Sequence, residues 1–216
     1  MKYSHAPRNS VSRFVPIVLV IIITIVAVAA VITIGRALMG GGNESNNRKQ
    51  TTSETESDLL STSLGRGVRL TVRGPIVANE KFRTYQVTVK PDSRSLITYE
   101  GYLEKQLGAK NLDNNVKAYE EFVYALDKRK MMDSRKLKDE QNDLRGICAK
   151  GKVYVFETLK NGQTVSSVWT SDCGGSKGSA VANVNEVTDL FLKQIPGGRK
   201  TVGEIGLVQQ ENLFKL

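Results

Sequence analysis

Residues Phe14 to Gly35 form 22 consecutive uncharged positions, nearly all Val, Ile, Ala and Leu. No other feature limits the chain so strongly, because a stretch this apolar has to leave water. As a helix rising about 1.5 Å per residue it spans roughly 33 Å, enough for a hydrocarbon core of about 30 Å. Thr24 and Thr33 can each bond a backbone carbonyl one turn back, and Pro16 falls in the first turn, where a missing N–H costs little. The pattern predicts a transmembrane helix over 14–35 behind a short basic tail over 1–13.

A cleaved signal peptide is the rival reading. Phe14 to Val26 would form its apolar core, and Ala27-Val28-Ala29 has the small-x-small form of a cleavage site. The apolar run continues through Ile34, too long for that role, and no Cys follows that could carry a lipid. An uncleaved anchor is therefore expected, contacting the lipid bilayer through residues 14–35. Lys2, Arg8 and Arg13 precede the span while Arg36, Arg48 and Lys49 follow it, an even count. The N-terminal amine and the cluster directly ahead of the span favour an N-terminus inside and a C-terminal domain outside. The expected place is the cytoplasmic membrane of a prokaryotic cell envelope, crossed once.

Gly40-Gly41-Gly42 ends the helix, and the following Asn, Ser, Thr, Gln and Glu cannot bury enough apolar surface to order themselves. A polar linker is expected over 36–63 and one extracytoplasmic domain over 64–216. After Leu60 the chain has 25 basic and 18 acidic residues, a net +7. Such a surface suits an anionic envelope polymer or a protein partner. Nucleic acid becomes a partner only if the topology is inverted and the domain faces the cytosol.

Within the domain, Val68–Arg73 and Phe82–Val89 alternate apolar and polar residues, as half-buried strands do. Pro91-Asp92-Ser93 reads as the start of a helix carrying Leu96, Tyr99, Leu103 and Leu107 on one face and ending at Gly108. Asp113 reads as the cap of a second helix, with Val116, Tyr119, Phe122, Val123 and Leu126 at helical spacing. A third, short helix is expected from Ser134, with Leu137, Gln141 and Leu144 on one side and Gly146 at its end. Lys152–Thr158 and Thr164–Thr170 flank Asn161-Gly162, the preferred pair for a type I′ hairpin turn. Asn183 opens a last helix with Glu186 at capping-box spacing, and Val187, Leu190, Phe191 and Ile195 form its apolar face up to Pro196-Gly197.

These elements give an α+β class, an N-terminal transmembrane helix followed by two ββα-type units. They would share about four antiparallel strands with helices on one face. The phrases Leu103–Gly108 and Leu192–Gly197 resemble each other, which raises a duplication against simple recurrence of a common pattern.

Chemistry narrows by elimination. The one histidine, His5, lies ahead of the span, so the domain has no Ser-His or Cys-His pair and no His-ligated metal. Two cysteines 25 positions apart do not make a Cys₄ zinc site, and no Walker A or Rossmann glycine pattern occurs. No cofactor or metal is expected. Glu120-Glu121, Asp139-Glu140 and Asp143 could serve a paired-carboxylate enzyme acting on envelope glycan. They sit in charge-mixed helical stretches, which are normally solvated faces, so a non-enzymatic binding or assembly module is preferred.

With the turn centred on Asn161-Gly162, Tyr154 faces Trp169 and Cys173 faces Lys150, which puts Cys148 and Cys173 on one sheet face. A single bulge would bring them opposite, so a disulfide is expected. Ser171–Gly178 follows, and in it Gly174, Gly175, Lys177 and Gly178 offer backbone N–H groups and a charge. They form a candidate anion-binding loop, set against a plain connecting loop.

Overall fold

Alternation of Val68, Leu70 and Val72 with Arg69, Thr71 and Arg73 makes β1, Arg66–Arg73, a strand with one buried and one polar face. In the computed structural model, which describes residues 58–137, 142–175 and 177–207, β1 lies at the centre of a sheet. The described residues all fall within one unit, Lys49–Leu216. The expected span at 14–35 lies outside the described residues, and no described helix is long and apolar enough to cross a membrane. Leu59 is buried in the core and Asp58 pairs with Arg66 at 2.7 Å, both within the stretch read from sequence as linker.

Six strands, all antiparallel, run in the order β4-β3-β2-β1-β5-β6. They are β1, β2 (Arg83–Val89), β3 (Ser93–Glu100), β4 (Lys105–Asp113), β5 (Val153–Lys160) and β6 (Gln163–Ser171). Helix α1, Val116–Lys128, follows β4, and α2, Val184–Lys193, and α3, Gly198–Glu204, follow β6. The α+β class holds, but the sheet has six strands where about four were expected, and the order ββββα–ββαα does not repeat a ββα unit.

The difference lies at β3 and β4, which replace the helix expected after Pro91. Pro91-Asp92 is a hairpin turn: the Lys90 N–H donates to Ser93 O at 2.7 Å and joins β2 to β3. The β-branched and aromatic run Ile97-Thr98-Tyr99 then suits a strand, and Gly101, at φ +75°, turns the chain where a helix would have continued. Leu103, expected on an apolar helix face, stands 96% exposed at the tip of that turn. The phrase Leu103–Gly108 is thus turn and strand while Leu192–Gly197 ends a helix, which removes the duplication.

Elsewhere the expected elements form with shifted edges. Asn115, two residues past Asp113, caps α1 by accepting from the Ala118 N–H at 3.0 Å; Asp113 remains in β4 opposite Ser93. Asn183 caps α2 through the Asn185 and Glu186 N–H groups and donates to Glu186 Oε1. Ser134 starts no helix; it bridges Ala180, and residues 138–141 of the expected third helix lie outside the described residues. The helix α3 was not foreseen from sequence.

All three helices bury their apolar stripes on the face of Leu70, Val87, Leu96 and Phe156. Phe122 of α1 meets Phe191 of α2 edge to face, centroids 5.2 Å apart, a geometry worth about 1 kcal/mol beyond its buried area. The carbonyls at the end of α2 find cations from the sheet: Arg94 donates to Gln194 O at 3.0 Å, and Lys110 donates to Pro196 O.

Candidate functional site

The second face of the sheet is divided. Over β5 and β6 the segment between α1 and β5 folds back, and Leu137, Leu144 and Ile147 cover Val153, Val155 and Trp169. Trp169 Nε1 donates to Asn142 Oδ1 at 2.8 Å. Over β1 to β4 the register lines up side chains of another character. Arg69 stands opposite Thr88 and Glu157, Thr88 opposite Ser95, and Ser95 opposite Asn111. The result is a polar row crossing five strands, bordered by Gln86, whose amide donates to Thr71 Oγ1 at 3.2 Å.

Arg69 is the best-held member of that row. Its Nε and Nη2 donate to the two Glu157 oxygens at 2.6 and 2.9 Å, and Nη2 also reaches Thr164 Oγ1 at 2.9 Å. Those hydrogen bonds to Glu157 raise the guanidinium pKa further, so Arg69 is charged at every working pH. One step towards the Asn161-Gly162 turn, Lys90 lies on one side of Gly67 of β1 and Leu159, its partner in β5, on the other. The space bounded by Arg69, Thr88, Lys90, Ser95 and Asn111 is a cleft of about 360 Å³. Arg94 borders it through its strand only, because alternation turns its guanidinium to the helix side, where it meets Gln194 O. The sequence signal for this cleft was the set of polar positions in the two expected strands. Its other wall, β3 and β4, was read as a helix.

Cys148 and Cys173 are at disulfide distance, with sulfurs 2.12 Å and Cα atoms 5.4 Å apart. The route differs from the one expected. A bulge at Thr158/Leu159 shifts the register so that Val155, not Tyr154, faces Trp169, and regular pairing stops at Val153 and Ser171. Cys148 sits beyond the strand in a turn, with φ +57°, and the Gly151 N–H donates to its carbonyl at 3.2 Å. The turn, rather than the pleat, delivers the sulfur. Asp172 joins the pair: its Oδ1 accepts from the Lys152 N–H at 2.6 Å and lies 3.4 Å from Cys148 Sγ. Cys148, Asp172 and Cys173 present ligand atoms within 4.8 Å of one another, but the sulfurs are spent on each other.

The glycine-rich stretch divides into two parts. Gly174, Gly175 and Lys177 are exposed. Gly178 is buried at φ +62°, and a Cβ there would come within 2.2 Å of Trp169 O. The chain then folds over Trp169, whose N–H donates to Ser179 Oγ at 3.1 Å and whose carbonyl accepts from Ala180 N at 2.9 Å. Gly178 therefore has a packing role, and the Lys177 carbonyl accepts from Thr170 Oγ1 at 3.1 Å.

Of the candidate carboxylates, Glu120 and Glu121 lie on the solvent side of α1. Asp143 is held by Arg145, whose hydrogen bonds lower its pKa to about 2. Asp139 and Glu140 lie outside the described residues.

Among the described residues these features define a class of architecture: a six-stranded antiparallel sheet with helices on one face and a half-covered second face that carries a polar row. Comparison with protein-family models, with curated proteins and with solved structures gave no match to the chain.

Proposed function

We propose that the chain is a single-pass, membrane-anchored binding module of the cell envelope, non-enzymatic, with its domain outside the cytoplasm. Its ligand is an anionic envelope polymer, and its binding surface is the open half of the second sheet face. The observation carrying this reading is that the cleft on this half is lined by cations, hydroxyls and an amide, with Leu159 its one apolar side chain, where a covered sheet face carries apolar side chains. The apolar stretch over 14–35 supports the anchor, and the cysteine pair supports an oxidising compartment.

Full-length protein carrying Lys177→Cys in intact cells tests the arrangement, since Lys177 is exposed and both native cysteines are paired. A membrane-impermeant maleimide labels the new thiol from outside, and intact mass shows residues 1–13 retained. Labelling only after permeabilisation would reverse the topology, and a product starting near Ala30 would remove the anchor.

A further inference from the structure

We infer that Lys90 and Arg69 form an anion seat on the open sheet face. The group it takes is singly charged, a phosphodiester or a carboxylate, and belongs to a hydroxyl-rich polymer. The seat presupposes that the domain is a binding module and adds which atoms bind and what they read.

Lys90 is fixed at both ends of its backbone: its N–H donates to Ser93 O at 2.7 Å, and its carbonyl accepts from Asn114 Nδ2 at 2.7 Å. Across from it, Gly67 keeps the floor bare. A Cβ at Gly67 would sit 3.1 Å from Lys90 Cγ and 3.2 Å from Val89 O, so the glycine lets the lysine stem lie along the sheet. The Lys90 ammonium has no ion pair or hydrogen bond among the described residues. Arg69 has Nε and Nη2 committed to Glu157 and Thr164, which orients the guanidinium and leaves Nη1 without a partner among the described residues. Orientation is thus settled before any ligand arrives, which lowers the ordering cost of binding.

The charge balance sets the ligand's charge. Arg69 and Glu157 cancel, no carboxylate lines the cleft, and Lys90 contributes one uncompensated positive charge. One negative charge is matched, whereas a second meets Glu157. Thr88, Ser95 and Asn111 add neutral donors and acceptors along the same groove, suited to hydroxyls beside the charged group. A cleft of about 360 Å³ holds one repeat of such a polymer and excludes a folded partner.

The test is equilibrium binding of the purified full-length protein in detergent micelles to three polymers: a polyol phosphate, a polyuronate and a neutral glucan. At least one polyanion binds, its binding weakens with added salt, and the glucan does not bind. Which polyanion binds more tightly identifies the source of the charge. Lys90→Gln weakens binding by at least about tenfold, as loss of a charge-assisted contact does, and Lys90→Arg restores most of it. Lys200→Gln, exposed on α3 over the opposite face of the sheet, changes binding by no more than about twofold. Unchanged melting of Lys90→Gln shows that the fold is intact. Equal weakening by Lys90→Gln and Lys200→Gln overturns the seat in favour of a diffuse basic surface and leaves the module reading standing. Glucan binding that ignores Lys90→Gln does the same. No binding of any polymer removes the seat and the polymer reading together.

Discussion

Gly178 is a position where backbone conformation and crowding make the same demand. At φ +62° a side chain is strained, and its Cβ would collide with a backbone carbonyl, which cannot swing aside as a side chain can. Gly178→Ala should therefore cost about 2 kcal/mol or more. Gly174→Ala, where a Cβ meets nothing within 4 Å, should be close to neutral. Chemical denaturation of the two variants, side by side, checks the contrast, and equal stability would contradict the packing role of Gly178. In the sequence the three glycines of the candidate loop look alike, because a glycine held at positive φ and a glycine in open solvent have the same letter. Arg69 posed the converse difficulty. Alternation in Val68–Arg73 placed it on the polar face, yet its partner Glu157 lies 88 positions away and only the register joins them.

Among the elements, α2 and α3 are tied by Asp189, which bonds Lys193 one turn along its own helix, at 2.8 Å, and Arg199 of α3. Burial pushes the Asp189 carboxyl up, but the hydrogen bonds from Lys193 and Arg199 outweigh it and hold the pKa below the usual carboxylate range. A group depressed in the folded state adds stability above its unfolded value of about 3.9 and loses that contribution as pH falls through the folded value. Asp189→Asn should accordingly melt below the wild type at about pH 7, and the gap should close on acidification to about pH 3. Thermal unfolding of both proteins at the two pH values measures it, and a gap that persists in acid would assign the loss to packing. The helices α1 and α2, with the cap of α2 read at Asn183 and that of α1 at Asp113, two residues before Asn115, were legible from sequence through their apolar stripes. The β3–β4 hairpin was not, because Pro-Asp-Ser opens helices and turns alike, and four apolar residues at helical spacing fit both readings until Gly101 is weighed.

For the molecule as a whole, the long connection from β4 to β5 carries α1 across three strands and is fastened at its far end by the cysteine pair. Cys148 ends the segment that covers Trp169, and Cys173 lies two residues past the strand beneath it. Closing this loop of 25 positions restricts the unfolded chain by about 3 kcal/mol. Replacing both cysteines by Ser should lower the melting temperature by about 10 °C and leave the sheet intact. Calorimetry with far-ultraviolet circular dichroism checks both halves of that statement, and an unchanged melting point would mean that the bridge adds no net constraint. The pairing was legible from having two cysteines beside a well-marked hairpin turn. The turn that presents Cys148 was not, since it needs a residue other than Gly or Asn at positive φ. The α+β class survived the misread hairpin because either reading leaves helices over one face of an antiparallel sheet.

The central place of β1 has a consequence in time. One edge of β1 pairs at once with β2, but its other edge waits for β5, and Arg73 meets Val153, 80 positions later. At synthesis rates of about 5–20 residues per second, that edge stays bare for roughly 4–16 s after it emerges. During that interval Val68, Leu70 and Val72 have at most α1 above them and no second strand beside β1, so the half-made domain is a four-stranded sheet open to foreign strands. Productive folding then depends on how long a nascent chain is kept from its neighbours, a quantity that the finished fold does not set.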